Sequence, residues 1–188
     1  MKYWQPVELL RVLEAAKKRS ARNHCLILLA YKHGLRATEL CRLKLSDVAD
    51  GRLDCQRLKG SLHTNRPLES DPNPLLDEKR ALAAWLRERR DDGSVFLFTS
   101  RLGSGMTRFA VSDIFNHAAS RAGIEFGRRG PHCAKHTLGA LMYRAGVDTF
   151  ALQQLLGHRD AKATAVYAGV TQDEAHVKAK SAAAVIFA

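Results

Sequence analysis

The stretch PHCAKHTLGALMYRAG, residues 131–146, carries two histidines four apart with a lysine just before the second. On a helix His132, Lys135 and His136 share one face, and Pro131 is pre-set for a helix start. His132 then falls in a first turn, where exposed N–H groups and the helix dipole attract anions. Three readings of this face stand open: a metal site, a phosphate-handling site, or a helix that happens to be basic. The histidine spacing suits a metal, but the glutamate of an HExxH site is missing and Lys135 would repel a cation. Leu138, Leu141, Met142 and Ala145 form an apolar stripe that turns the basic trio away from the core.

Other residues with chemical potential lie in separate segments. Arg36, in HGLRATELCRLKLSDV, falls at a break between two helices, where a side chain can project into a cleft. Glu39 is placed to orient its guanidinium, although a surface pair of this kind contributes little by itself. Lys59, in RLKGSLHTNRPL, stands beside Gly60 at a loop tip, a place for a mobile cation. His158, in LLGHRDAKATAVYAG, follows a helix-ending glycine, with Tyr167 further on. Taken singly, these are a solvated hairpin lysine, a capping histidine and a half-buried tyrosine.

The elements that must position them are mostly helical. Pro6 opens a helix to about Lys18, with Leu9, Leu10, Leu13 and Ala16 as its stripe. Ser20 caps a second helix, ARNHCLILLAYKH, which Gly34 ends, and ATELCRLK forms a third. Residues 52–70 read as two short strands around the loop at Gly60. Residues 73–91 return to a helical pattern with Leu76, Leu82, Trp85 and Leu86 inward, and SVFLFTS reads as a short buried strand or extended piece. Helices over 107–122, 132–145, 149–156 and roughly 173–187 complete an α+β chain, mostly helical, with one small antiparallel sheet.

The totals bound the partners. Thirty Lys and Arg against 19 Asp and Glu leave a formal charge of +11, spread over folded segments. That balance favours a polyanion, either nucleic acid or an anionic membrane surface. At 188 residues and 46% hydrophobic, the chain reads as a single domain over 1–188 with a core of its own. No apolar run reaches the length of a membrane span, and MKYWQPVELL has no signal-peptide h-region. Cys25, Cys41, Cys55 and Cys133 form no CxxC pair, so a reduced, cytoplasmic protein with cysteines as small buried apolar residues is expected.

Together, Arg36, Lys59, His132-x-x-Lys135, Leu156-Gly157-His158 and Tyr167 resemble, in order and interval, the catalytic domain of the tyrosine recombinases, or phage integrase family. The likeness runs from about Ala21 to Ala168. In ARNHCLILL, HGLRATELCRL, RLKG…RPL and LLGHRDAKATAVY it is nearest to the small recombinases of fimbrial phase-variation switches. The resemblance implies site-specific DNA cleavage and rejoining, by inversion, excision or integration, without metal or nucleotide cofactor. Tyr167 would be the nucleophile forming a 3′-phosphotyrosine. Arg36 and Lys135 would hold the non-bridging oxygens and His158 would add a hydrogen bond. Lys59 would protonate the departing 5′-oxygen, and His132 would accept the tyrosine proton. His136 would be a structural neighbour.

Two departures shape the expectation. The family pattern calls for arginine where Lys135 stands, and lysine supplies charge without a bidentate fork. Slower chemistry follows, or a DNA-binding regulator on the same fold that does not cut; type IB topoisomerase-like relaxation is a further alternative. No separate N-terminal DNA-clamping domain is expected, as in the fimbrial-switch type, which implies weak DNA grip per protomer and a need for cooperative assembly or DNA-bending helpers. The resemblance also implies that the small, apolar tail over 171–188 docks on a neighbouring protomer in a homotetrameric synapse. Arg42, Lys44, Arg101, Arg108, Arg128, Arg129 and Lys162 are candidate phosphate contacts on double-stranded DNA, which position a protein without reading sequence.

Overall fold

A computed structural model describes residues 2–58, 61–91, 93–100, 102–159 and 164. Its helices are α1 (Pro6–Arg19), α2 (Ala21–His33), α3 (Ala37–Arg42), α4 (Glu78–Glu88), α5 (Arg108–Arg121), α6 (Pro131–Arg144) and α7 (Thr149–Leu156). Strands β1 (Val48–Ala49), β2 (Arg52–Cys55) and β3 (Thr64–Pro67) form one antiparallel sheet in that order. The helix expected over 173–187 lies outside the described residues.

Helix α2 is the axle of the domain. Its run Asn23–Tyr31 is buried throughout, so it can be apolar on every side, and α1, α4 and α6 pack around it. Ser20 Oγ accepts from the Asn23 amide at 3.2 Å to start the helix. Gly34 ends it in the left-handed region at φ 59°, which turns the chain toward Arg36. Trp4, fully buried, closes the domain's other side: its amide donates to Thr137 Oγ1 and its indole N–H to the Arg128 carbonyl.

The strand count exceeds the two expected. β1 pairs with β2 across an Asp50–Gly51 turn whose residues both adopt positive φ, 52° and 69°. That is the Asp-Gly turn suited to a two-residue hairpin. SVFLFTS forms no ladder; Phe96 and Thr99 make isolated bridges to Lys44 and Gly105 while Leu97 and Phe98 fill the core. Residues 73–77 are a turn, and the helix begins only where the Asp77 carboxylate accepts from the Arg80 amide. Leu86, expected inward, is 42% exposed because the α4 stripe runs through Ala81, Leu82 and Trp85. On α1 the stripe includes Val12, with Leu10 only half-buried.

Candidate active site

Four segments meet where α2 ends. Arg36 stands at the N-terminus of α3 with extended backbone and one third of its side chain exposed. Its Nη1 donates to Glu39 Oε1 at 3.1 Å and to Ser61 Oγ at 2.8 Å, which ties it to the β2–β3 loop. The same loop is held to the end of α7: the Leu62 amide donates to the Gly157 carbonyl at 3.0 Å, and Ser61 bridges His158.

Glu39 organises the cluster from below. It is 1% exposed and accepts from the Arg36 amide (2.8 Å), the Leu58 amide (3.2 Å), Arg36 Nη1 and Arg57 Nη1. Burial alone would raise its carboxyl pKa. The Arg36 amide, the Arg57 charge, the Leu58 amide and the Arg36 charge outweigh that and hold it below the usual range.

Arg57, absent from the sequence-based site, is the buried counter-cation. Its Nε donates to Thr64 Oγ1 (3.1 Å), its Nη1 to the Gly34 carbonyl and Glu39 Oε2 (both 3.1 Å), and its Nη2 to the His33 carbonyl (2.6 Å). An arginine at a strand end gave no sequence signal for this, because its partners come from α2 and α3.

Lys135 corrects the picture of a basic helix face. His132 is exposed and His136 half-buried, whereas Lys135 is 7% exposed and points inward, its Nζ donating to the Leu156 carbonyl at 3.1 Å. Burial first, then the charges of Arg36 and Arg57, push its pKa down to about 7, against the pull of Glu39 and Cys55. The α6 stripe also ends sooner than expected, since Ala145 is exposed beyond Leu138, Leu141 and Met142.

His158 follows Gly157, which caps α7 in the left-handed region at φ 64°. His158 is buried, and its Nδ1 lies 2.9 Å from the hydroxyl of Thr164, a second residue the sequence did not single out. Burial, then the charges of Lys135, Arg36 and Arg57, lower its pKa to about 4. At neutral pH it is therefore an uncharged ring. If Nδ1 accepts from Thr164, Nε2–H is left as a donor.

Lys59, Tyr167, Arg101 and Lys162 lie outside the described residues. Of the remaining candidate phosphate contacts, Arg42 and Lys44 are exposed and help line a cleft of about 300 Å³ on the flank of Glu39 and Arg57. Arg108 is exposed at the start of α5, stacked over Phe109. Arg128 is already engaged: its fork grips Glu8 and the Tyr3 carbonyl. Arg129 donates to the Ile124 carbonyl at 2.7 Å. The larger cleft, about 720 Å³ between α1 and α5, contains none of the site residues. Among the described residues no three His, Cys, Asp or Glu side chains gather as a metal site, and no helix is long and apolar enough to cross a membrane.

One buried carboxylate thus fixes two guanidinium cations, one of them open to solvent, an arrangement able to stabilise an anion. Residues 2–174 match the phage integrase family. The type 1 fimbriae regulatory protein FimE of Escherichia coli K12 is 36% identical over 153 residues, covering 78% of this chain and 74% of that protein. Tyrosine recombinase XerA of Pyrococcus furiosus is 31% identical over 171 residues, covering 87% of this chain and 56% of that one. The fold matches the XerH site-specific recombinase bound to its difH substrate with a TM-score of 0.78 at 23% identity, over 95% of this chain and 54% of XerH. The chain therefore spans about half the length of that solved recombinase. The chain belongs to the phage integrase family, whose members include these tyrosine recombinases.

Proposed function

We propose that this protein is a site-specific DNA recombinase that breaks and rejoins strands through a 3′-phosphotyrosine intermediate, with Tyr167 as nucleophile. The observation that carries the reading is the convergence of three separate elements: Arg36 bonds Glu39 and the Ser61 loop, His158 bridges the same loop at Ser61, and Lys135 bonds the Leu156 carbonyl two residues before His158. Family membership supplies the substrate class.

A tyrosine hydroxyl has an unperturbed pKa of about 10 and must be helped at neutral pH. His132 takes its proton as the oxygen attacks phosphorus. Arg36 and protonated Lys135 stabilise the charge that builds on the non-bridging oxygens, and neutral His158 adds a hydrogen bond through Nε2. Lys59 gives a proton to the departing 5′-oxygen. Attack by a 5′-hydroxyl reverses these proton transfers and rejoins the strand, releasing Tyr167. No metal or nucleotide cofactor takes part.

Lysine at 135 makes this chemistry slower than arginine would. It offers no bidentate fork, and at pH 7 its buried amine is only partly protonated. Double-stranded DNA is the substrate; Arg42, Lys44, Arg101, Arg108 and Lys162 contact its backbone, and a homotetramer with DNA-bending helpers assembles the synapse. Arg128 and Arg129 serve chiefly to hold the chain around Tyr3, Glu8 and Ile124. The reading is tested by trapping DNA on the protein in SDS without a cross-linker: wild type carries an adduct that Tyr167→Phe lacks. A wild type that carries none, beside a Lys135→Arg variant that does, would favour a non-cutting regulator.

A further inference from the structure

Arg57 is the most heavily bonded cation among the described residues near the site, and it is buried. Its four bonds reach α2 (the His33 carbonyl), the Gly34 cap, α3 (Glu39) and β3 (Thr64). Thr64 begins β3, so the guanidinium cross-links both ends of the loop that bears Lys59 and Ser61 to the α2–α3 turn that bears Arg36. Gly157 fits against it: a Cβ there would lie 3.3 Å from Arg57 Nε and 3.2 Å from the Leu62 carbonyl. Among the described residues Arg57 therefore lies against the segments that carry Arg36, Ser61 and His158, and it acts on Lys135 of α6 by charge.

We infer that Arg57 is a positioning residue for strand cleavage, fixing Arg36 through Glu39 and holding a fixed, buried positive charge that opposes a charge on Lys135. This deepens the proposed function and rests on it.

The arithmetic of charge supports the second half. Arg36 and Arg57 bond one buried carboxylate, Glu39, and Lys135 lies within electrostatic reach of all three. The groups that act on Lys135 are Arg36 and Glu39 from α3, and Arg57 and Cys55 from the end of β2. His158 beyond α7 and His136 on α6 feel Lys135 in return, and His132 acts on His136. Both imidazoles are pushed toward their neutral forms, so Arg36 and Arg57 are the fixed cations opposing a third charge at Lys135. An arriving phosphate reverses the balance, because its negative charge favours the ammonium. Lys135 then takes up a proton as DNA binds, and the site becomes fully cationic only when occupied.

Two measurements separate this inference from the recombinase reading. The first follows the Lys135 side chain by NMR in the DNA-free protein, with ¹³C-labelled lysine and Lys135→Arg as the assignment control. Wild type should titrate near pH 7, and Arg57→Gln should titrate about one pH unit higher, because an opposing cation has gone. Arg57→Lys, which keeps charge and serves if Arg57→Gln does not fold, should leave the midpoint within a few tenths of a unit. The second measures SDS-resistant adduct on genomic DNA from pH 6 to 9. Arg57→Lys should cut the yield at least tenfold at every pH, because the fork that anchors Glu39 and the two carbonyls is lost. A folded Arg57→Gln with an unmoved midpoint, or an Arg57→Lys with wild-type adduct yield, would overturn the inference. Absence of adduct from wild type, with the NMR shift intact, would count against the recombinase reading and against Arg57 as a positioning residue for it.

Discussion

Lys135 and Leu156 meet at 3.1 Å, amine to carbonyl, across the junction of α6 and α7. This bond places the lysine beside the His158 segment and opposite Arg36. It also explains a trade between stability and function, since an amine is kept in a site that disfavours its charge. The ordinary lysine pKa of 10.5 falls to about 7. Between those values the unfolded chain binds the proton and the folded chain does not. Stability therefore rises with pH across that window, and below it the full cost of the buried charge is present.

Lys135→Met should accordingly stabilise the fold at pH 7, by about 1–3 kcal/mol, while removing the phosphate grip. Denaturant unfolding at pH 6 and at pH 10 checks it: the gain should be larger at the lower pH. A loss of stability at both would mean that the bond to Leu156 outweighs the cost of charge.

Lys135→Arg should speed strand cleavage above neutral pH and flatten its pH profile. In wild type, cleavage at limiting DNA should fall as pH rises above about 7, where the amine of the DNA-free protein empties. Arginine keeps its charge throughout. Adduct yield against pH for the two proteins is the measurement, and parallel profiles would assign the pH dependence to another group.

Glu39→Gln should be costly on both counts. It leaves Arg57 without the one charged hydrogen-bond acceptor it has among the described residues, in a fully buried position. Breaking a buried pair costs about 3–5 kcal/mol. Thermal unfolding should show a large drop, and Arg36, losing an ionised partner, should support less cleavage in whatever fraction folds.

Gly157→Ala should move His158. The position has φ 64°, and a Cβ there would press on the Leu62 carbonyl at 3.2 Å. A loss of about 1–2 kcal/mol follows from backbone strain. Because the Gly157 carbonyl also anchors the β2–β3 loop, cleavage should fall further than stability does. Gly123→Ala, which also has positive φ but meets nothing within 4 Å, is the control for strain without contact.

Much of this was legible from residue order. Ser20 and Gly34 bracket α2 by the chemistry of caps, and Arg36 at the break after it is where the sequence places it. The catalytic set itself was legible only as a resemblance, since single residues such as His158 have ordinary structural roles. What escaped were properties set by distant partners. Arg57 is buried because two carbonyls from α2 and its cap, and a carboxylate from α3, converge on it, and nothing near position 57 signals that. Lys135 was placed on an outward face by helical period, yet its own side chain turns in to the Leu156 carbonyl at the end of α7 and is buried there. β1 is too short for alternation to reveal it, although the Asp50–Gly51 pair that turns it was visible.

The proposed function turns on attack by Tyr167 on DNA. Expression in the native host, SDS lysis without cross-linker and sequencing of DNA that stays with the protein test it most directly. Wild type should yield DNA sharing one short sequence, Lys135→Arg more of it, and Tyr167→Phe none. Equal recovery from wild type and Tyr167→Phe would contradict it.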